Sequence, residues 1–230
     1  MQEALDVRRL RIGLDKPMNQ KPGQFIMVAF EVEDLENPTK KNIVKRAYSL
    51  CSSPHESRFI EICFNRVPEG FISKILYDIP DGSELEITGP YGHFTYTEGQ
   101  STNVLLLSAG LGVTPMRAIA LSILEKSLPV KLTLLYGVRH PENIIFHTEW
   151  EELAHKHNNF HPYFTISRPQ GTNWNGDTGR IDKTFLQKYV PDITQKLTYI
   201  CGPPEFVKAM IRTLKDDFKI PSEQIKTEAW

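Results

Sequence analysis

Val104-Leu105-Leu106-Leu107-Ser108-Ala109-Gly110-Leu111-Gly112-Val113-Thr114-Pro115 is the stretch that decides the fold. An unbroken apolar run, without alternation, reads as a strand buried on both faces, as in a parallel sheet covered by helices. Two glycines follow it. Gly110 and Gly112 permit a tight turn and a close backbone approach, and the free N–H groups of a helix start are where a dinucleotide pyrophosphate sits. The loop departs from G-x-G-x-x-G at its last position, where Pro115 stands. Proline suits the first helical position because the N–H it lacks would be unpaired there. Taken alone, 110–115 reads equally as a phosphate cradle and as a plain strand-to-helix turn.

Downstream the pattern repeats. Apolar runs of strand length fall at 130–136, 160–166 and 197–201, a last strand is expected at 225–229, and helical segments are expected over 115–126, 146–157, 182–189 and 204–218. Five strands alternating with four helices predict a doubly wound α/β domain on a parallel sheet, over 103–230. Upstream, residues 7–94 form short runs of Val, Ile, Phe and Tyr broken by Lys21-Pro22-Gly23, Asn37-Pro38, Ser53-Pro54, Pro80-Asp81-Gly82 and Gly89-Pro90-Tyr91-Gly92. Short strands at such spacing predict an antiparallel β-barrel over 1–97, with one short helix over 71–77. Small polar residues over 96–103 suit a linker.

Composition removes several classes. The 230 residues carry 27 Lys and Arg against 28 Asp and Glu, so there is no basic surplus for a nucleic-acid backbone. At 40% hydrophobic and 24% charged the chain is globular, not disordered. Its longest nearly apolar stretch falls well short of the ~18 residues of a membrane span. The amino terminus lacks a signal-peptide run, which predicts a cytoplasmic protein. Three cysteines, Cys51, Cys63 and Cys201, are too few for a disulfide framework or a four-thiolate cluster.

Several polar residues are placed to meet a ligand. Classical dehydrogenases set an acid ~20 residues beyond the first glycine, for the ribose hydroxyl. Residues 130–135 hold none; nearby stand Arg139, Ser167 and Arg168. A guanidinium beside a hydroxyl suits a 2′-phosphate and favours NADPH over NADH, although Ser167-Arg168 also reads as a solvated loop. In Arg46-Ala47-Tyr48-Ser49, strand periodicity puts Arg46 and Tyr48 on one face, either as a cation and aromatic plane for one ligand or as a basic edge strand with a half-buried tyrosine. Gly70-Phe71-Ile72-Ser73 opens the short helix, as an anion site or with Ser73 as an ordinary cap. His147, Glu151 and His155 share a helix face but lack HExxH, and a solvated amphipathic helix explains them better than a metal.

Together these segments resemble the ferredoxin–NADP⁺ reductase superfamily, in the right order and over nearly the whole chain. Pro22-Gly23-Gln24-Phe25 resembles its proline-glycine-glutamine strand start, Arg46-Ala47-Tyr48-Ser49 its R-x-Y-S flavin motif, and Gly70-Phe71-Ile72-Ser73 its second flavin segment. Gly89-Pro90-Tyr91-Gly92-His93-Phe94 is similar to the strand that ends its barrel, and Gly110 to Pro115 to its G-x-G-x-x-P turn. Tyr136-Gly137-Val138-Arg139 and Cys201-Gly202-Pro203-Pro204 resemble its two further nicotinamide-side motifs. Members usually carry a strand ahead of the segment that 6–12 resembles, which leaves either a barrel one strand short or a missing start.

The resemblance implies FAD in the barrel and NADPH, with NADH the lesser alternative, on the sheet. Arg46 would hold the FAD pyrophosphate, Tyr48 would stack on the isoalloxazine, and Ser49 would bond near flavin N5. Ala47, Cys63, Phe64, Gly70, Phe71, Ile72 and Ser73 would complete the flavin side. Gly110, Gly112, Thr114, Pro115, Arg139, Ser167, Arg168, Cys201, Gly202 and Pro203 would form the nicotinamide side. Cys201 would lie against the nicotinamide, unless it is only a small buried hydrophobe. Glu228 would serve proton transfer and Trp230 would gate the flavin face or simply pack on the barrel. The implied activity is a stand-alone flavoprotein reductase exchanging hydride with NADPH and single electrons with a separate carrier, ferredoxin or flavodoxin. The alternatives are an NAD(P)H:flavin reductase and the flavin-bearing subunit of a larger, oxygenase-type system.

Overall fold

The computed structural model describes residues 1–33, 41–67 and 70–229; the expected turn at Asn37-Pro38 and the expected gate Trp230 lie outside them. Alternating sequence builds the first half as two three-stranded antiparallel sheets. One has the order β1 (Gln2–Ala4), β2 (Val7–Gly13), β5 (Phe59–Asn65); the other β4 (Lys41–Ser49), β3 (Phe25–Glu33), β6 (Glu86–Tyr91). A bridge between Leu50 and Ile62 joins them. Ile26, Val28 and Phe30 of β3 meet Ile60, Ile62 and Phe64 of β5, and helix α1 (Phe71–Tyr77) adds Ile72 and Leu76, four residues apart on one face. Burying each such side chain contributes ~2 kcal/mol.

The same period of two gives β5 a second role, because Glu61 and Cys63 then point away from the barrel core, toward the other half of the chain. Two expectations change here. A three-residue strand, β1, does precede the segment at 6–12 and pairs with β2. Gly89-Pro90-Tyr91, a break by composition but part of a strand by the resemblance, lies inside β6, which is tolerated because β6 is an edge strand whose outer N–H groups need no ladder partner.

The second half is a parallel sheet of six strands, not five. The strands β7 (Asn103–Ala109), β8 (Lys131–Val138), β9 (Phe160–Ile166), β10 (Asp177–Thr178), β11 (Leu197–Gly202) and β12 (Ile225–Ala229) lie in the order β10-β9-β8-β7-β11-β12. Two residues are too few to show a hydrophobic period, so β10 is invisible in the sequence. Val104 and Leu106 of β7 face α2 (Val113–Leu124) and α3 (His147–Lys156); Leu105 and Leu107 face α4 (Lys183–Tyr189) and α5 (Pro204–Arg212). After α5 the expected helix over 204–218 widens into a π-helical turn at Thr213–Asp217. Helix α2 starts two residues earlier than expected, directly from a 3-10 turn at Gly110–Gly112, so Pro115 is its third residue, not its first. It still sits among the N–H groups that have no partner within the helix.

The core beneath α2 and α3 continues into the first half through Val7, Cys51, Cys63, Phe94 and Tyr96. The chain runs from β7 to β8 on one side of β7 and later sets β11 on its other side. That reversal makes the carboxyl ends of β7 and β11 the switch point, the position of the ligand crevice in such sheets.

Candidate functional site

A groove of about 500 Å³ follows the free edge of β4, lined by Arg46, Ala47, Tyr48, Ser49, Cys63, Phe64, Asn65, Val67, Gly70, Phe71, Ile72, Ser73, Leu111 and Thr114. It collects the expected barrel-side residues, together with Thr114 from the other half of the chain. All four residues 46–49 border it, not only the Arg46 and Tyr48 face, because an edge strand exposes its backbone as well. Tyr48 is fixed by an edge-on contact with Phe64, their centroids 5.7 Å apart. Burial raises its phenol, with Arg46 acting in the opposite sense.

At the other end of the groove Ser73 is engaged locally. Its hydroxyl donates to the Gly70 carbonyl at 2.9 Å and accepts the Val67 N–H at 3.1 Å. A Cβ on Gly70 would sit 2.6 Å from that hydroxyl, so glycine is required for the approach. Ser73 thus shapes the wall of the groove and does not cap a helix N–H. Asn65, Val67 and Leu111 are wall residues that the sequence reading missed; Asn65 and Val67 follow directly on the run containing Cys63 and Phe64.

The crevice side gathers at the ends of neighbouring strands. A Cβ on Gly112 would lie 2.1 Å from the Cys201 carbonyl oxygen, which holds the Gly110–Gly112 turn hard against the end of β11. Thr114 donates its hydroxyl to the Leu111 carbonyl at 2.7 Å and closes the turn. Gly202 and Pro203 carry the chain from β11 into α5. On the far side of β7, Ser167 N–H bonds the Val138 carbonyl at 2.9 Å and Arg168 N–H the Arg139 carbonyl at 2.8 Å. The two arginines are thus joined through their backbones, and both are exposed. Gly110, Gly112, Pro115, Arg139, Ser167, Arg168, Cys201, Gly202 and Pro203 lie outside the barrel groove.

Groove and crevice meet at three side chains. Glu228 on β12 stands opposite Cys201 on β11, and the Ser49 hydroxyl lies near enough to the Glu228 carboxyl to favour its charged form. Burial lifts that carboxyl to about 7, against the pull of Ser49. Burial, and then the Glu228 charge, push the Cys201 thiol well up, so it stays neutral. The arrangement offers a neutral wall at Cys201 and a hydroxyl backed by a carboxyl that exchanges protons near neutrality.

A buried ion network links the two halves below this point. The Arg117 side chain, 8% exposed, donates Nη1 to the Cys51 carbonyl at 2.6 Å and to Glu61 at 3.1 Å, and forks onto Glu149 with two 2.8 Å bonds. Glu61, 4% exposed, also accepts Arg11 at 2.8 and 3.0 Å. The sequence reading missed it, although one arginine inside the apolar run of α2 is a signal, since a buried charge has to be paired.

Comparison with known proteins places these features in a class. The family model for the oxidoreductase FAD-binding domain matches residues 2–96, and that for the oxidoreductase NAD-binding domain matches residues 106–212. The glycine betaine monooxygenase reductase subunit of Chromohalobacter salexigens is 31% identical, the match covering 94% of this chain and 58% of that protein. Ferredoxin–NADP reductase B of Sorangium cellulosum is 29% identical over 90% of this chain and 86% of its own. The cytochrome b5 reductase domain of Ulva prolifera nitrate reductase superposes with a TM-score of 0.83 at 23% identity, over 97% of this chain and 91% of that one, and shares the fold. The class is that of FAD- and nicotinamide-dinucleotide-binding oxidoreductases. Within it, the chain belongs to the ferredoxin–NADP⁺ reductase superfamily. It spans 58% of the length of the monooxygenase reductase subunits it matches. No helix among the described residues is long and apolar enough to cross a membrane.

Proposed function

We propose that the chain passes reducing equivalents from NADPH through FAD to a separate one-electron carrier of the ferredoxin or flavodoxin type, with FAD bound by residues 1–97 and the dinucleotide by 103–230. The observation that carries this reading is the meeting of Ser49, on the wall of the aromatic groove, with Glu228 and Cys201 at the strand end against which the Gly110–Gly112 turn packs. The donor set fits a flavin. Tyr48 offers a ring face, Arg46 a cation at the rim, and the open end at Phe71 and Val67 an apolar berth for an adenine. Bound there, the flavin supplies hydride acceptance from nicotinamide and release of electrons one at a time.

The protein's own groups hold and time the exchange. Gly110 and Gly112 present backbone N–H groups to the pyrophosphate, and Arg139 and Arg168 pair with the 2′-phosphate. Cys201 presents an uncharged surface to the nicotinamide. Ser49 passes a proton from the groove to the Glu228 carboxylate as electrons leave and returns it in the reverse direction. The test is gel filtration of the FAD-loaded protein followed by NADPH-driven reduction of a one-electron acceptor. Flavin that stays bound and turns over supports the reading; flavin that elutes free, with turnover requiring added flavin, replaces it with a flavin reductase. The likeness to monooxygenase reductase subunits favours a second reading, the flavin-bearing part of an oxygenase system, for which a co-purifying oxygenase at fixed ratio is the sign.

A further inference from the structure

We infer that Arg117 is a positioning residue for hydride transfer, fixing Ser49 and Cys201 relative to each other through one buried guanidinium. The role presupposes a flavin in the β4 groove. Arg117 lies five residues beyond Gly112, ~7.5 Å along the axis of α2. Its Nη1 grips the Cys51 carbonyl, two residues from Ser49, while the Cys51 N–H donates to the Glu61 carbonyl at 2.8 Å. The strand end that carries Ser49 is thus held from both sides of its peptide by one cluster. At the amino-terminal end of the same helix, the Gly110–Gly112 turn abuts the Cys201 carbonyl so closely that no side chain fits between them. The path closes on itself, because Cys201 faces Glu228 and the Ser49 hydroxyl acts in turn on the Glu228 carboxyl.

Charge explains why the cluster is stiff. Arg117 balances Glu61 and Glu149, and Glu61 is balanced in turn by Arg11, with Arg9 at 3.6 Å. Phe146 covers the guanidinium with its ring centroid 4.9 Å away. The side chains of Arg117 and Glu61 are almost wholly removed from solvent, so each bond is charge-assisted in a poorly screened setting. Loss of the guanidinium would free the Cys51 carbonyl and let α2 shift against the barrel. Lysine keeps the charge but cannot make the fork onto Glu149 and reach Cys51 together.

The test compares Arg117→Met, Arg117→Lys and Glu149→Gln, each loaded with FAD and mixed rapidly with NADPH under anaerobic conditions. A displacement of about 1 Å in the reacting geometry costs on the order of 10- to 100-fold, so Arg117→Met should lower the limiting rate of flavin bleaching by about that factor while FAD content and the dissociation constant of NADPH stay within about two-fold. Arg117→Lys should recover part of the rate. Glu149→Gln keeps the bonds to Cys51 and Glu61 and should lower thermal stability while leaving the rate within about two-fold of wild type. Amide exchange is the readout independent of turnover: the Cys51 amide should exchange faster in Arg117→Met, with the amides of β8 unchanged. An unchanged rate in Arg117→Met, or a loss that follows FAD content or NADPH affinity in proportion, overturns the role. Should Arg117→Met fail to fold, Arg117→Lys decides by the same rate and binding split. A wild type that takes up no FAD overturns the flavin reading itself, whereas a flavin-loaded wild type matched by an equally fast Arg117→Met overturns only the part given to Arg117.

Discussion

Ser49, the last residue of β4, brings its hydroxyl to the Glu228 carboxyl on β12 and favours its charged form, so the two halves of the chain act on one proton where groove and crevice meet. A hydroxyl in that position serves chemistry more than affinity. Replacing Ser49 with Ala is expected to slow flavin bleaching by NADPH at least about 10-fold while FAD affinity changes little, since Tyr48, Arg46 and the groove walls remain. Stopped-flow absorbance with a parallel FAD titration checks this; equal rates in wild type and variant would contradict it.

The Glu228 carboxyl, lifted by burial to about 7, makes the relay depend on pH. Only the carboxylate accepts a proton, so electron delivery to a one-electron acceptor should rise with pH through about 7 and fall on the acid side. Glu228→Gln should flatten that profile and lower its plateau by about 10-fold or more. Steady-state rates across the pH range decide the matter, and an inflection that survives in Glu228→Gln would assign it to another group.

Stability should move the opposite way. The folded carboxyl holds its proton more tightly than its ordinary value of 4.5, so its contribution is fully present below that value and is lost as pH rises through about 7. Glu228→Gln, which cannot ionise, should therefore gain in Tm relative to wild type on the alkaline side of this window. Thermal scans at both ends check it; a constant difference in Tm would contradict the buried carboxyl.

Arg139 and Arg168, tied together by the Arg168 N–H to Arg139 carbonyl bond, should discriminate between dinucleotides. Arg168→Ala should raise KM for NADPH by about 10-fold or more, the loss of one charge-assisted contact, and leave KM for NADH nearly alone. Parallel changes in both would remove Arg168 from the phosphate site.

Gly112 has no room for a methyl group. Gly112→Ala forces the turn away from the Cys201 carbonyl, 2.1 Å from the added carbon, and should cost about 3 kcal/mol in denaturant unfolding, with dinucleotide binding lost together with it. A midpoint unchanged from wild type would show that the turn yields freely.

Much of this was legible in the sequence because it rests on short-range rules. Buried strands read as apolar runs, the Gly110–Gly112 turn as glycine spacing, and the groove residues 46–49 and 70–73 as motifs whose neighbours in sequence are also neighbours in space. Other features depend on contacts between distant segments. Arg117, Glu61 and Glu149 come from three separate elements and signal only as buried charges, so their meeting needs the folded chain. The strand at Asp177–Thr178 forms because β9 offers an edge, not because two residues prefer extension. Ser73 had the right type and place, yet its hydroxyl is taken by Gly70 and Val67, a local alternative that the sequence left open.

The most direct measurement is an anaerobic absorbance titration of the desalted, FAD-loaded protein, with NADPH and NADH in separate cuvettes. Retained flavin bleached by NADPH at much lower concentration than by NADH is the expected result. A protein that retains no flavin, or whose flavin neither nucleotide bleaches, would contradict an electron path from dinucleotide to FAD across the Ser49–Glu228 junction.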